Sequence, residues 1–326
     1  MAGERLWSAD PMPTVRKKAH PCPRYGGRPQ WWPRYGVTEP SPAMNQLPQH
    51  WTITESYTAP KGAHRNEDLL VSTPWGVAVI DGATDKSGLT HLLDGEQVAS
   101  GYFAAHMLGR CLQQLPGSTL PTEAVQLCSA ELDAAIRSQY PDIDTANRPS
   151  ASLMVFNAEH DQLWWVGDCQ AGYTAGEEVT VLDTGKHVDE VAGQFRAMVN
   201  AAADMAGDRV GDPGRDAIMV WLQRQGMFAN SDHRRYGFGV CNGLDVPAHY
   251  VGIRAVSGTT DTIVLASDGY PKLADTDGLF DLARAEQYLA QMLADDPDCV
   301  AGLCSTKGVV LGANSFDDRT FVALTR

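Results

Sequence analysis

The sequence lacks several features that would place it in other functional classes. It has no apolar run of about 18 residues, so we expect no membrane insertion. Its N-terminus has no apolar signal-peptide region, so we expect no secretion. Its seven cysteines show no C-x-x-C spacing, which argues against a zinc knuckle. Their odd number and irregular spacing predict reduced thiols and a cytoplasmic location.

Positive charge is also scarce. The chain has 26 Lys and Arg against 40 Asp and Glu, for a net charge of -14. A nucleic-acid partner is disfavoured, because a phosphate backbone requires a basic surface. The apolar content of 43% and the charged fraction of 20% are typical of a soluble globular protein with a sizeable core.

Residues 1–50 differ in composition from the rest of the chain. They contain nine of the nineteen prolines and seven Lys or Arg, but only three Asp or Glu. They show no apolar periodicity. We therefore predict a largely disordered, Pro-rich basic arm, followed by one domain over residues 51–326.

The apolar periodicity of residues 51–326 predicts strands, two helices, strands, two helices and a final strand. The predicted helices are 94–115, 122–139, 278–293 and 298–305, with Thr122 as the N-cap of the second. Residues 190–245 are predicted to be an insertion. Because strands and helices do not alternate one for one, the order indicates an α+β fold of two antiparallel sheets with a helix pair on each outer face.

Five short acidic signatures lie far apart in the chain, and most of their aspartates end or directly follow an apolar, strand-like run. Carboxylates that reach one place from several strand ends suit a hard cation such as magnesium or manganese. The alternative is that each aspartate caps a turn or a helix, but turn chemistry does not explain the ordered set. The pattern therefore predicts a metal-dependent hydrolase. The signatures are Asn66-Glu67-Asp68, Asp81-Gly82, Gly167-Asp168, Ser267-Asp268-Gly269 and Asp317-Asp318-Arg319-Thr320.

In their order, these signatures resemble the motifs of the PPM family, the metal-dependent Ser/Thr phosphatases also called protein phosphatase type 2C. The resemblance runs from about Tyr57 to Leu324. It implies a four-layer αββα sandwich and two Mn²⁺ or Mg²⁺ ions, with a weaker third ion. It also implies a phosphorylated protein as substrate, with phosphoserine or phosphothreonine as the target. Two such metal ions neutralise the charge of the phosphate and lower the pKa of the attacking water.

The resemblance implies roles for individual residues. Asp81 would bridge two metal ions, and the carbonyl oxygen of Gly82 would bind one of them. Asp268 and Asp317 would complete the other site. The rest of the implied metal set would hold metal-bound waters or the third ion: Glu67, Asp68 and Asp168. The predicted catalytic residues are Asp81, Arg65 and Asp68.

Two positions depart from the family pattern. Ala63 stands where the family usually has an arginine that binds the substrate phosphate. Arg65 and Lys61 are the neighbouring candidates for that charge, and Arg234 or Arg235 in the insertion could also supply it. Ala83 stands where the family usually has the histidine of Asp-Gly-His, a candidate general acid. The substitutes near it in sequence are Thr84, Asp85 and Lys86.

These departures leave two alternatives to a protein phosphatase. The first is a non-catalytic regulator with a PPM fold that binds a phosphorylated partner. The second is a phosphatase that acts on a small metabolite.

Overall fold

Two antiparallel sheets face each other, and the acidic signatures lie at or near the ends of their strands. The structure is a computed structural model that describes residues 46–84, 86–182, 184–273 and 281–326, together with the backbone of residues 14–18. The strands are β1 (Thr14–Lys18), β2 (Thr52–Ala59), β3 (Leu69–Thr73), β4 (Gly76–Gly82), β5 (Thr90–Leu93), β6 (Glu96–Ala99), β7 (Ala151–Asn157), β8 (Gln162–Val166), β9 (Gln170–Ala175), β10 (Glu178–Leu182), β11 (Gly252–Ala255), β12 (Thr262–Ala266) and β13 (Arg319–Thr325). The helices are α1 (Ser100–Gln114), α2 (Pro121–Gln139), α3 (His187–Ala206), α4 (Pro213–Arg224) and α5 (Leu282–Asp295).

The strand order brings sequence-distant segments side by side. One sheet has the order β1-β10-β9-β12-β13-β2, and the other has the order β11-β8-β7-β4-β3. All neighbouring strands in both sheets are antiparallel. Strands β5 and β6 form a separate hairpin.

Strand β4 shows how the core is divided. Because successive side chains of a strand point to opposite faces, Val77 and Val79 pack in the apolar cluster between the two sheets. Ala78 and Ile80 pack against helices α1 and α2 on the other face. Because the strand is covered on both faces, its sequence is a continuous apolar run rather than an alternating pattern. The apolar run stops before Asp81, one residue before the end of the strand.

The helices lie outside the two sheets, which confirms the predicted α+β sandwich. Helices α1 and α2 cover the sheet that contains β4. Helix α5 covers the other sheet, where Ala285 and Leu289 pack with Val264 and Phe321. The second helix predicted on this outer face, at 298–305, is wrong, because the segment is a loop. The Asp296 carboxylate there accepts hydrogen bonds from the backbone N–H groups of 300–302, which competes with helical hydrogen bonding.

Two other element boundaries differ from the predictions. The helix predicted at 94–115 begins at Ser100, because Asp94-Gly95, with φ angles of 52° and 86°, forms the tight turn of the β5–β6 hairpin. The N-cap of α2 is Leu120 rather than Thr122, since Pro121 occupies the first helical turn, where a missing N–H is tolerated. Residues 278–280 of the predicted fourth helix lie outside the described residues.

The N-terminal arm and the insertion also contain regular structure. Residues 14–18 of the arm pair with β10 as an edge strand, whereas we predicted no secondary structure there. The insertion contains α4 and most of α3, which pack together through Ala192, Ile218 and Leu222. Within the described part of the chain, no helix is long and apolar enough to cross a membrane.

Trp51 joins the inner core to the chain end. The residue is fully buried, and its ring packs edge-on against Phe156 at 5.0 Å between centroids. The indole N–H donates to the Asp161 carboxylate at 2.8 Å. The guanidinium of Arg326 lies over the ring at 4.6 Å from its centroid. One side chain therefore combines apolar burial, a hydrogen bond and a cation–π contact.

We expect Trp51→Ala to lower the free energy of unfolding by about 3–5 kcal/mol, because it leaves a cavity between the sheets. Trp51→Phe keeps most of the apolar volume and removes only the N–H donor, so it should cost about 1–3 kcal/mol. Urea unfolding of both variants measures the difference. An equal loss in the two variants would contradict this division between packing and hydrogen bonding.

Candidate active site

The acidic signatures meet because strand ends of both sheets point to one region. Asp81 lies at the end of β4, and Asp268 lies two residues after β12. Asp168 follows β8, while Asp317 lies two residues before β13. Glu67 and Asp68 directly precede β3. The metal-site residues predicted from sequence therefore reach the same edge of the sandwich from five strands.

The carboxyl groups of Asp81 and Asp268 lie close enough to interact, and a proton on one of them would allow the pair to share a hydrogen bond. Burial raises the pKa of each well above its ordinary value. The charges of Asp68, Asp168 and Asp317 add to this rise for Asp81, and those of Asp81, Asp168 and Asp317 add to it for Asp268. Asp268 is reached by solvent through a cavity, but it lies deep enough among protein atoms to be desolvated.

The first acidic motif adds two buried carboxylates to this group. Burial raises the pKa of Asp68 well above its ordinary value, and the charges of Asp317, Asp318 and Asp268 add to that effect. Glu67 accepts a hydrogen bond from the Thr84 hydroxyl at 2.7 Å. One oxygen of each carboxylate, Glu67 Oε1 and Asp68 Oδ2, is buried without a hydrogen-bond partner among the described residues.

Lysines hold the outer carboxylates in place. Asp317 pairs with Lys307 at 2.6 Å and with Lys61 at 3.2 Å. Burial alone would raise the pKa of Asp317, but these two ammonium groups lower it below its ordinary value. Asp168 pairs with Lys186 at 2.9 Å and accepts from the Ser152 hydroxyl at 2.6 Å.

Asp318 connects three segments at the site. The residue is 3% exposed. Its carboxylate accepts hydrogen bonds from the backbone N–H groups of Lys61 at 2.7 Å and Glu67 at 3.0 Å. Asp318, in the last acidic motif, therefore holds the segment of the first acidic motif, which includes Glu67, next to it. The sequence analysis gave it no role, although the doubled Asp317-Asp318 pair was a visible signal.

The carboxylates open into a cavity of about 450 Å³. Its lining includes Asp81, Asp168, Asp268 and Asp317, together with cationic side chains. The cationic residues of the lining are Lys86, Lys186, Lys272 and Lys307. The cavity therefore combines a negative centre with positive surroundings, although the whole chain is strongly acidic.

The donor set fits a divalent cation. No three His, Cys, Asp or Glu side chains in the described residues already form a metal-holding cluster, and lysine ammonium groups pair with Asp168 and Asp317. The donors are nonetheless all carboxylate or carbonyl oxygens, which are the ligands that Mg²⁺ and Mn²⁺ prefer. The unpartnered oxygens of Glu67 and Asp68 and the raised pKa values of Asp81 and Asp268 indicate negative charge that lacks compensation.

Arg65 lies away from this cavity. Its exposed guanidinium pairs with Glu96 at 2.6 Å and lies over the ring of Tyr102 at 5.5 Å. It lines a second cavity, which it shares with Asp68. In the insertion, the Arg235 side chain contacts His187 and Tyr236. The phosphate-binding role that we predicted for Arg65 stays a prediction.

The residues that sequence reasoning missed are mainly lysines. Lys186 and Lys307 carry no motif of their own, and only the fold shows that they pair with Asp168 and Asp317. Asp85, one of the substitutes considered for the missing histidine, lies outside the described residues.

Comparisons with known proteins gave matches to solved structures only. No family model matches the chain, and no curated protein matches it in sequence. A serine/threonine phosphatase structure of Mycobacterium tuberculosis, PstP/Ppp, is 15% identical with a TM-score of 0.42, and the match covers 83% of this chain and 97% of that one. A PstP catalytic domain with two manganese ions is 16% identical with a TM-score of 0.43, covering 83% of this chain and 96% of that one.

A third similar structure is the PPM Ser-Thr phosphatase MsPP of Mycobacterium smegmatis, in complex with cacodylate. It is 14% identical with a TM-score of 0.40, and the match covers 84% of this chain and 98% of that one. These identities and TM-scores are low, so the function of this chain must be inferred from its own residues. The two sheets with helices on their outer faces form the predicted αββα arrangement.

Gly82 lies where strand β4 and helix α1 approach most closely. A Cβ atom at this position would lie 2.4 Å from the carbonyl oxygen of Gly101 and 2.6 Å from that of Glu67. Both contacts are to backbone atoms, which cannot rotate away. We expect Gly82→Ala to displace Glu67 and to weaken manganese binding at least tenfold, as measured by calorimetry. Gly258→Ala is the control, because no atom lies within 4 Å of its added methyl group; equal effects in the two variants would contradict the prediction.

Repulsion among the carboxylates predicts that a charge-removing variant is more stable without metal. Because the pKa of Asp81 is raised in the folded state, this group destabilises the fold at pH values above its ordinary pKa and does so less as pH falls. In chelator at neutral pH, Asp81→Asn should raise the free energy of unfolding by about 1.4 kcal/mol per unit of that shift. Urea unfolding between about pH 5 and pH 8 should show the difference shrinking toward low pH; a difference independent of pH would contradict this origin.

Proposed function

We propose that this chain is a metal-dependent phosphomonoester hydrolase that acts on phosphoserine or phosphothreonine in proteins. The observation that carries the proposal is the close approach of Asp81 and Asp268 inside a group of carboxylates that strand ends of both sheets bring together. Such a group is unfavourable by itself, because like charges repel in a desolvated site. A divalent cation would compensate that charge.

Two Mn²⁺ or Mg²⁺ ions are the proposed cofactor. Asp81, the Gly82 carbonyl and Asp268 would hold them with Asp317, while Glu67 and Asp68 would act through water and Asp168 would support a third ion. When bound, such ions neutralise the phosphate and lower the pKa of the attacking water. The two manganese ions described for the PstP catalytic domain support this choice of metal.

The protein groups around the cavity have separate tasks in this proposal. Lys61, which pairs with Asp317 and Asp318 and is 3.5 Å from Glu67, keeps the carboxylates of the first and last motifs together. The Thr84 hydroxyl orients Glu67. Lys186 and the Ser152 hydroxyl orient Asp168. Fixing carboxylates before the reaction is favourable, because oriented groups need no reorganisation in the transition state.

A second candidate is a non-catalytic PPM fold that binds a phosphorylated partner. Ala63 and Ala83, which replace the arginine and histidine of the family pattern, favour it. Catalysis and binding differ in turnover. A phosphopeptide that binds tightly and is released unchanged in the presence of manganese would support this candidate.

We expect the purified protein to release phosphate from p-nitrophenyl phosphate and from phosphoserine peptides in the presence of manganese. Asp81→Asn and Asp268→Asn should each lower kcat/KM at least a hundredfold, because each removes a charged ligand from the proposed metal site. Asp208→Asn is the control, since this carboxylate is exposed. Activity in Asp81→Asn equal to that of the wild type would refute the proposal.

A further inference from the structure

The lysines of the cavity differ in their partners. Lys186 pairs with Asp168, and Lys307 pairs with Asp317. Lys272 is half exposed and pairs with Glu190 at 2.8 Å. Each of these three ammonium groups therefore has a carboxylate of the protein within ion-pair distance.

Among the described residues, no carboxylate lies within ion-pair distance of Lys86, whose ammonium group donates to the carbonyl oxygen of Thr84. Two negative charges that act on it, those of Asp317 and Glu67, are already paired with Lys307 and Lys61. A desolvated charge without a counter-ion is unfavourable, and an anion that binds beside it removes that penalty.

The surroundings of Lys86 add positive charge. Burial and, after it, the charges of Lys307 and Arg215 lower the pKa of Lys86 to about 8. The guanidinium of Arg215 donates a hydrogen bond to the carbonyl oxygen of Thr306 at 2.7 Å. Thr306 directly precedes Lys307 in the sequence. Lys86 and Lys307 therefore line the cavity together, and Arg215 adds a third positive charge that acts on Lys86 from outside the lining.

Asp189 is the other charged group in this region. It lines the cavity and interacts with Lys86, Lys186 and Lys307 over longer distances, but no ion pair joins it to Lys86. Burial raises the pKa of Asp189 to about 6, although the lysines oppose that rise. Asp189 therefore does not provide a close counter-ion for Lys86, and no other carboxylate in the described part of the chain does so.

We propose that Lys86, supported by Lys307 and Arg215, binds the phosphoryl oxygens of the substrate in place of the arginine that is missing at Ala63. The inference rests on the proposed function and names the chain's own phosphate-binding residue. Lys86 follows the Asp81-Gly82 motif by four residues. Its side chain lines the same cavity as the carboxylates of Asp81 and Asp268. The ligand class is a phosphate monoester dianion, for which an ammonium group acts as a point charge rather than a bidentate fork.

Lys61 and Arg65, two of the cations considered from the sequence, are already paired with carboxylates. Lys61 pairs with Asp317 and Asp318 and lies 3.5 Å from Glu67, so its charge is already compensated by the protein. Arg65 lines the second cavity and pairs with Glu96. Lys86 is therefore the cation best placed to face a substrate on the side of Asp81.

The test measures binding of inorganic phosphate to the manganese-loaded protein by calorimetry, with manganese affinity measured separately. Lys86→Met keeps the aliphatic stem and removes the charge, so phosphate affinity should fall about tenfold to a hundredfold while manganese affinity stays unchanged. Lys86→Arg should retain most of the phosphate affinity. Lys272→Met removes a lysine from the same cavity lining and is the control, with an expected change below about twofold.

Thermal unfolding provides an independent reading. Phosphate should raise the Tm of the wild type more than that of Lys86→Met, because a ligand stabilises only the state that binds it. Phosphate affinity in Lys86→Met equal to that of the wild type, or no phosphate binding by the wild type, would overturn the inference. A loss of manganese binding in Lys86→Met would also overturn it, since the residue would then support the metal site.

The outcomes separate this inference from the proposed function. Phosphate binding that depends on Lys86 in a protein that hydrolyses no phosphomonoester would refute the proposed function and leave the phosphate site intact. Hydrolysis with an unchanged KM and unchanged phosphate affinity in Lys86→Met would support the proposed function and refute the role of Lys86.

Discussion

Repulsion among converging carboxylates is the constraint on which the rest of this structure depends. Asp81 and Asp268 come from opposite sheets and lie close together, and the charges of Asp168 and Asp317 act on both. In a desolvated site such a group is stable only if protons or cations compensate it. The fold supplies part of that compensation with lysines and leaves oxygens of Glu67 and Asp68 without partners.

The sandwich can hold this arrangement because its core does not depend on it. The apolar cluster between the sheets and the clusters beneath α1, α2 and α5 bury the strands on both faces. The carboxylates of the site lie at or next to strand ends, outside these apolar clusters. A rigid pair of sheets therefore fixes the carboxylates from several directions, and their repulsion is distributed over a frame that packing stabilises.

The resemblance to the PPM family and the structure agree on architecture and differ in detail. Ala63 and Ala83 remove two side chains of the family pattern. Cations from other parts of the chain reach the same cavity: Lys86 from the loop after β4, Lys186 from the residue before α3, and Lys307 from the segment before β13. The insertion contributes Arg215 beside this group through the first turn of α4.

The local patterns were sufficient for most strands and most helices of residues 51–326, and they failed where a side chain or a tight turn competed with periodicity. Asp94-Gly95 forms a hairpin turn inside an apparently helical run. The Asp296 carboxylate takes the N–H groups of a segment whose spacing appeared helical. Both cases depend on one residue in a special conformation or contact, which averaging over a window does not detect.

The sequence alone determined the α+β class and the acidic residues that end the strands, because apolar periodicity and motif order are local properties of the chain. Only the tertiary structure decided which charges meet. The pairing of Asp317 with Lys307 and the position of Arg65 away from the cavity depend on distances between segments far apart in sequence. So does the lack, among the described residues, of a carboxylate within ion-pair distance of Lys86. Electrostatic interactions act through space, so their partners are fixed only when the two sheets have packed.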